Sequence, residues 1–135
     1  MRSRTETGAM TSSLPESVCV IDGDEGIRNS ICTLLGTLGI RAVPFPSAEE
    51  FLEKAAGQRP QFLILELALP GMSGFELKEK LNEQGLKIPC IALTAESNRR
   101  KRREADRLGF IDLVEKPFVY WHVVDRIQEV LPTLH

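Results

Sequence analysis

The chain has only three cysteines, Cys19, Cys32 and Cys90, an odd number, all set in apolar runs. Buried reduced thiols follow from that placement, which favours a cytosolic, cytoplasmic setting over a secreted one. No stretch approaches the roughly 18 apolar residues that a membrane span requires. The first 16 residues have no hydrophobic centre, so they do not read as a secretory signal. There is no Gly-rich phosphate loop, no HExxH and no GxSxG, and the two histidines, His122 and His135, fall on or after the last predicted helix. An independent enzyme is therefore the least supported class. Charge of one sign is lacking too: 17 basic against 19 acidic residues leave a net charge of −2, which argues against bulk nucleic-acid binding.

What is present suits one domain. At 135 residues and 42% hydrophobic content, the chain is long enough for a single core. Residues 1–16 read as a disordered tail or a remnant of expression, 17–131 as the folded unit, and 132–135 as its C-terminal end. Four short apolar runs, 18–21, 62–65, 88–93 and 110–114, are nearly continuous rather than alternating, as in strands covered on both faces of a parallel sheet. A fifth, 40–45, contains Pro44 and so belongs at an edge.

Helical periodicity fills the gaps. Ile27, Ile31, Leu34, Leu35 and Leu38 form one stripe, ended by Gly39. Ser47 to Glu50 reads as a capping box opening a second helix, with Phe51, Leu52 and Ala55 inward. Phe75, Leu77 and Leu81 mark a third that stops at Gly85, with Ser73 and Gly74 as its turn and start. Val123, Val124, Ile127, Val130 and Leu131 mark the last, closed by Pro132. Five alternations of strand and helix predict an α/β, doubly wound, five-stranded parallel sheet in the order 2-1-3-4-5 with five helices, a flavodoxin-like fold.

The fourth helix, 97–108, is unusual. Its only apolar residues after Asn98 are Ala105 and Leu108, while five consecutive basic residues, 99–103, crowd its first turns. Basic charge there opposes the macrodipole, and so narrow a stripe offers little burial. It is expected to be the least ordered helix.

Doubly wound sheets bind ligands beyond the C-terminal strand ends. The first strand delivers Asp22 there, the third Glu66, the fourth Thr94, and the fifth runs through Glu115 into Lys116 and Pro117. Two carboxylates, a hydroxyl and an ammonium are expected to share one crevice, although strand ends are often simply solvated and charged.

The stretches VCVIDGDEGIRNS, LILELALPGMSGFEL, IPCIALTAES and LGFIDLVEKPF carry a resemblance. Together they span nearly the whole predicted domain, and it resembles a receiver domain of two-component signalling, of the kind found in nitrogen-fixation response regulators. Such domains accept a phosphoryl group on an aspartate ending the third strand, hold Mg²⁺ with two acidic residues after the first, and contact the phosphoryl oxygens through a lysine before a proline. A Thr or Ser after the fourth strand and an aromatic on the fifth report the state to the face made by the fourth helix, fifth strand and fifth helix. The resemblance places Asp22 at the first acidic position, Thr94 at the hydroxyl switch and Lys116 at the phosphate contact. Three positions depart: Gly23 stands where the main metal-binding aspartate is expected, Glu66 at the phosphoacceptor position, and Leu113 at the aromatic switch.

The departures have physical consequences. Mg²⁺ demands near-octahedral oxygens at about 2.0–2.1 Å, and a glycine side chain supplies none. Asp24 is the nearby substitute, but it suits the N-cap of the first helix, a role worth about 1 kcal/mol. No metal is expected; any that bound would use Asp22, Glu66 and the Ala68 backbone, and weakly. Glu66 is a methylene longer than aspartate, which misplaces its carboxylate for in-line attack but lets it reach Lys116. The ammonium then acts as an internal counter-ion. Leu113 retains apolar contact without a rotating ring. Thr94 fits a loop-capping role as well as a switch.

Three readings follow. The first is an atypical receiver acting as a phosphorylation-independent interaction module with no cofactor. Its surface would be the face of the fourth helix, fifth strand and fifth helix, carrying Arg99, Arg100, Arg103, Tyr120 and Trp121. Its partners would be a protein or a second copy, with a histidine kinase or output domain implied by the resemblance. The second is a phosphoacceptor using a non-standard carboxylate. The third is nucleic-acid binding through residues 99–103, against which stand the net charge and the lack of an interleaved aromatic. Trp121 also suits a packing role, and the arginines a solvated face. The sequence stops after its last helix, so no output domain is expected within it.

Overall fold

The computed structural model describes residues 17–55 and 58–131. The expectations for the N-terminal tail, for Pro132 and for the C-terminal end lie outside the described residues. Strand and helix alternate throughout: β1 Ser17–Ile21, α1 Glu25–Thr37, β2 Arg41–Phe45, α2 Ala48–Lys54, β3 Phe62–Glu66, α3 Gly74–Glu83, β4 Cys90–Thr94, α4 Arg99–Leu108, β5 Asp112–Glu115 and α5 Tyr120–Val130. All strand pairs are parallel and the order is β2-β1-β3-β4-β5, as the sequence pattern predicts. β2 is an edge, and there Pro44, paired with Val20, leaves no inner ladder short of a donor.

The near-continuous apolar runs arise because both faces of the sheet are covered. Val18, Val20, Phe62, Ile64, Ile91 and Leu93 face one core with Ile31 and Leu35 of α1 and Val123, Val124 and Ile127 of α5. Cys19, Ile21, Leu63, Leu65, Cys90 and Ala92 face the other with Phe51 of α2, Leu77 and Leu81 of α3, and Ala105 and Leu108 of α4. Burial raises the thiols of Cys19 and Cys90 to about 12, so both stay protonated; Cys32 is half-buried, and burial raises it as well.

Capping differs in one place from the sequence pattern. Ser47 accepts from the Glu50 amide at 3.1 Å, but the complete reciprocal box lies at Ser73 and Glu76, opening α3. Glu49 instead crosses to the Met72 amide at 2.8 Å, which holds its carboxyl below the usual range and ties α2 to the loop after β3. Gly74 begins α3 because a Cβ there would collide with the Glu66 carbonyl and the Leu67 Cα. That close approach sets where β3 ends.

α4 is capped at both ends despite its basic start. The Asn98 side chain accepts from the Lys101 amide at 2.8 Å, and Gly109 closes the helix at φ 89°, a left-handed conformation that disfavours a Cβ. Ala105 and Leu108 are its only buried residues. Among the described residues no helix is long and apolar enough to cross a membrane.

Candidate functional site

The C-terminal strand ends bring Asp22, Glu66 and Lys116 together. Lys116 Nζ lies 2.9 Å from Asp22 Oδ2 and 3.0 Å from Glu66 Oε2. Asp22 is fully buried, and its Oδ2 makes no hydrogen bond, so that contact is ionic rather than aligned. The other oxygens are also engaged: the Asp24 amide donates to Asp22 Oδ1 at 2.8 Å, and the Gly23 amide to Glu66 Oε1 at 3.0 Å. Lys116 is joined to Pro117 by a cis peptide bond. The long Glu66 side chain therefore bridges the first and fifth strand ends, as the extra methylene predicts.

The electrostatics separate the two carboxyls. Burial, reinforced by the adjacent Glu66 carboxylate, pushes Asp22 up to about 6 against the opposing pull of the Asp24 amide and Lys116. Burial also works against ionised Glu66, but contact with Asp22, the Gly23 amide and Lys116 outweighs it and holds Glu66 below its ordinary value. Burial disfavours the Lys116 ammonium as well, yet its two carboxylate neighbours raise it. The cluster thus contains a fixed ammonium, a fixed carboxylate and one carboxyl poised near neutrality.

A divalent metal would have to displace donors of the protein from these carboxylates. All four carboxylate oxygens of Asp22 and Glu66 face donors of the protein itself. Asp24 is occupied as the α1 cap, its Oδ1 accepting from the Ile27 amide at 3.0 Å. Ala68 lies exposed in the turn after β3. Among the described residues no three metal-ligating side chains are grouped. Nothing in the backbone demands glycine at 23: it lacks a positive φ, and a Cβ there would meet Glu66 Oε1 only at 3.7 Å and Pro70 Cδ at 3.8 Å. The missing ligand is a missing side chain and not a lack of room.

The Thr94 hydroxyl is engaged outside the cluster. The residue is buried at the end of β4, but its hydroxyl donates to the Glu96 carbonyl at 3.0 Å and accepts from the Glu96 amide and Lys101 Nζ, each at 3.3 Å. None of these bonds reaches the Asp22–Glu66–Lys116 cluster, so the hydroxyl caps the loop into α4. Leu113, half-buried, packs against the core on the α3 and α4 side of the sheet.

The candidate surface divides in two. Arg99, Arg100 and Arg103 are exposed on α4. Tyr120 and Trp121 do not extend that face: with Phe118 and Val119 they line a groove against Asn29, Ser30, Thr33, Leu34 and Thr37 of α1. α5 packs on the α1 side of the sheet and α4 on the other, the two flanking the edge strand β5. Trp121 is 52% exposed and Val119 69%, so neither is a core packing residue, whereas the Tyr120 ring stacks edge-on against Phe118 at 4.9 Å.

Two contributors escape the sequence pattern. Arg28 Nη1 donates to the Asp22 carbonyl at 2.8 Å, and Lys101 Nζ donates to the Thr94 hydroxyl and, at 2.6 Å, to the Glu96 carbonyl. Position 28 lies on α1 as the first turn meets the strand end, a signal the sequence does hold. Lys101 is hidden within a uniform basic run.

Known proteins resemble most of the chain. The family model for the response regulator receiver domain matches residues 18–128. The transcriptional regulatory protein FixJ of Azorhizobium caulinodans is 35% identical over 109 residues, covering 81% of this chain and 51% of that protein. FixJ of Rhizobium meliloti is 32% identical, covering 83% and 55%. The crystallised chemotaxis protein CheY4 of Vibrio cholerae is 26% identical and superposes with a TM-score of 0.79 over 87% of this chain and 99% of its own. The chain spans about half the length of the curated relatives it matches.

Proposed function

The chain belongs to the response regulator receiver domain family, and we propose that it acts within two-component signalling as an interaction module whose state does not depend on phosphorylation. One observation carries this reading: Lys116 sits 2.9 Å from Asp22 and 3.0 Å from Glu66, a lysine neutralised from within the protein. A receiver works by bringing a cation and a phosphoryl group into this cleft. Here the carboxylates already have donors, the Gly23 amide among them, and no anionic side chain stands at 23. In this reading the domain performs no catalysis of its own, needs no cofactor and works in the cytoplasm.

Its partners are proposed from the relatives. As a regulator-like domain it would meet a histidine kinase, an output domain or a second copy, through the exposed α4 face with Arg99, Arg100 and Arg103. The separate α1–α5 groove with Trp121 offers a second contact. Intact mass after incubation with Mg²⁺ and acetyl phosphate tests the reading. No phosphoryl adduct is expected on the natural chain, whereas Gly23→Asp/Glu66→Asp is expected to regain one. An adduct on natural Glu66 would instead establish a non-standard phosphoacceptor.

A further inference from the structure

Between α3 and α4 lies a cavity of about 660 Å³, on the opposite side of the sheet from α1 and α5. Small-molecule sites typically enclose about 300–1,000 Å³. Arg100, Arg103 and Arg107 recur at helical spacing and so share the face of α4 that lines it. Arg107 is already neutralised: Glu104 takes its guanidinium in two bonds of 3.0 and 2.6 Å, and Glu79 stands 4.0 Å away. Arg100 and Arg103 have no hydrogen bond or ion pair among the described residues, apart from a longer-range attraction between Arg100 and Glu104. The first turn of α4 carries no acidic residue, so these charges face the positive end of the helix uncompensated. An anion in the cavity would relieve that repulsion.

The aromatic missing from the basic run comes from another element. Phe75, the second residue of α3, lines the same cavity and is held edge-on by Phe110, with ring centroids 6.1 Å apart and planes at 73°. A fixed, half-buried ring beside two unpaired guanidiniums is a combination with a chemical preference. Guanidiniums suit phosphate oxygens through their planar fork, and the ring suits a planar base. An inorganic anion would leave most of the volume unfilled, and an acidic peptide would not need the ring.

We propose that the α3–α4 cavity binds a nucleotide, its phosphates on Arg100 and Arg103 and its base against Phe75. The site does not depend on whether Glu66 accepts a phosphoryl group. It is coupled to the strand ends through the residue between the two arginines' turns, because Lys101 bonds the Thr94 hydroxyl and the Glu96 carbonyl. An occupant holding α4 would therefore hold the Thr94 loop.

Titration calorimetry of the whole chain with ADP and with GDP tests this, using pyrophosphate and an octaglutamate peptide as comparators. Saturable binding of at least one nucleotide is expected, with pyrophosphate and the peptide weaker by about fivefold or more, since neither carries a base to stack on Phe75. Arg100→Gln/Arg103→Gln should weaken nucleotide binding at least ~10-fold and Phe75→Leu ~5-fold, with the urea midpoint of the arginine variant no lower than that of the natural chain, because both side chains are exposed and their charges oppose the helix dipole. No saturable heat with either nucleotide would overturn the proposal. So would affinity unmoved in the arginine variant, or pyrophosphate or peptide matching the nucleotide.

Discussion

Asp22 is buried beside a second carboxylate, its Oδ2 makes no hydrogen bond, and its carboxyl is pushed up to about 6 from an ordinary value of 3.8. Folding favours the protonated form of such a group. Its contribution to stability is therefore complete below pH 3.8 and is lost as pH rises through about 6. Glu66 runs oppositely: its lowered value contributes stability above the ordinary glutamate range that is lost as pH falls. Asp22→Asn keeps an acceptor for the Asp24 amide and removes the charge that burial disfavours. The raised value corresponds to at most about 3 kcal/mol at 1.36 kcal/mol per unit. Urea unfolding should find Asp22→Asn more stable than the natural chain by up to that amount at pH 7, with the gain fading below pH 6 and absent near pH 4. A variant less stable at pH 7 would mean that the ion contact with Lys116 outweighs the burial cost. At this scale the sequence was informative where reach decides the contact, as with Glu66 and Lys116, since strand-end placement and side-chain length suffice. For Thr94 it left two roles open, a loop cap or a switch, and the bonds formed to Glu96 and to Lys101, seven residues away, are those of a cap.

The elements were legible to the extent that periodicity determines them. Apolar runs and stripes located the strands and four of the five helices, and Pro44 identified an edge strand, because burial leaves a mark on each residue. What periodicity could not supply was which helix stands beside which. Trp121 is near α4 in strand order but borders α1 in space, because the crossovers put α1 and α5 on one side of the sheet. Phe75 meets the arginines of α4 for the same reason. α4 itself combines both lessons. Its caps, Asn98 and Gly109, are present, yet two buried residues hold it, against three in α5. Caps contribute about 1 kcal/mol each, whereas burial of a large apolar side chain contributes about 1.5–3. Amide hydrogen exchange should therefore be faster over 99–108 than over 120–130 in the ligand-free chain. Equal protection of the two helices would show that the Lys101 bonds to Thr94 and Glu96 fasten α4 as firmly as a core face does.

For the molecule as a whole, two cores pack on one parallel sheet and the Asp22–Glu66–Lys116 crevice stands at the ends of β1, β3 and β5, so it inherits the rigidity of the sheet. In such a frame the charge of the crevice decides whether a cation belongs to the folded state. The natural cleft has two carboxylates and one ammonium in contact, a small excess that a proton on Asp22 can remove. An aspartate at 23 would add a further negative charge in space the backbone already allows. A ligand that binds only the folded state stabilises it by RT ln(1 + [L]/Kd), about 2.7 kcal/mol at 100 times Kd, and each kcal/mol moves the Tm of a domain this size by about 4 °C. Thermal unfolding with and without millimolar Mg²⁺ should accordingly leave the natural chain within about 1 °C, while Gly23→Asp/Glu66→Asp is expected to be less stable without the ion and to gain roughly 4 °C or more with it. The second half of that expectation guards the first: it shows that the fold can house the cation once a ligand is supplied. A natural chain that rises with Mg²⁺ as the double variant does would mean that Glu66 releases Lys116 to take the metal, and the internally neutralised cleft would no longer describe this protein.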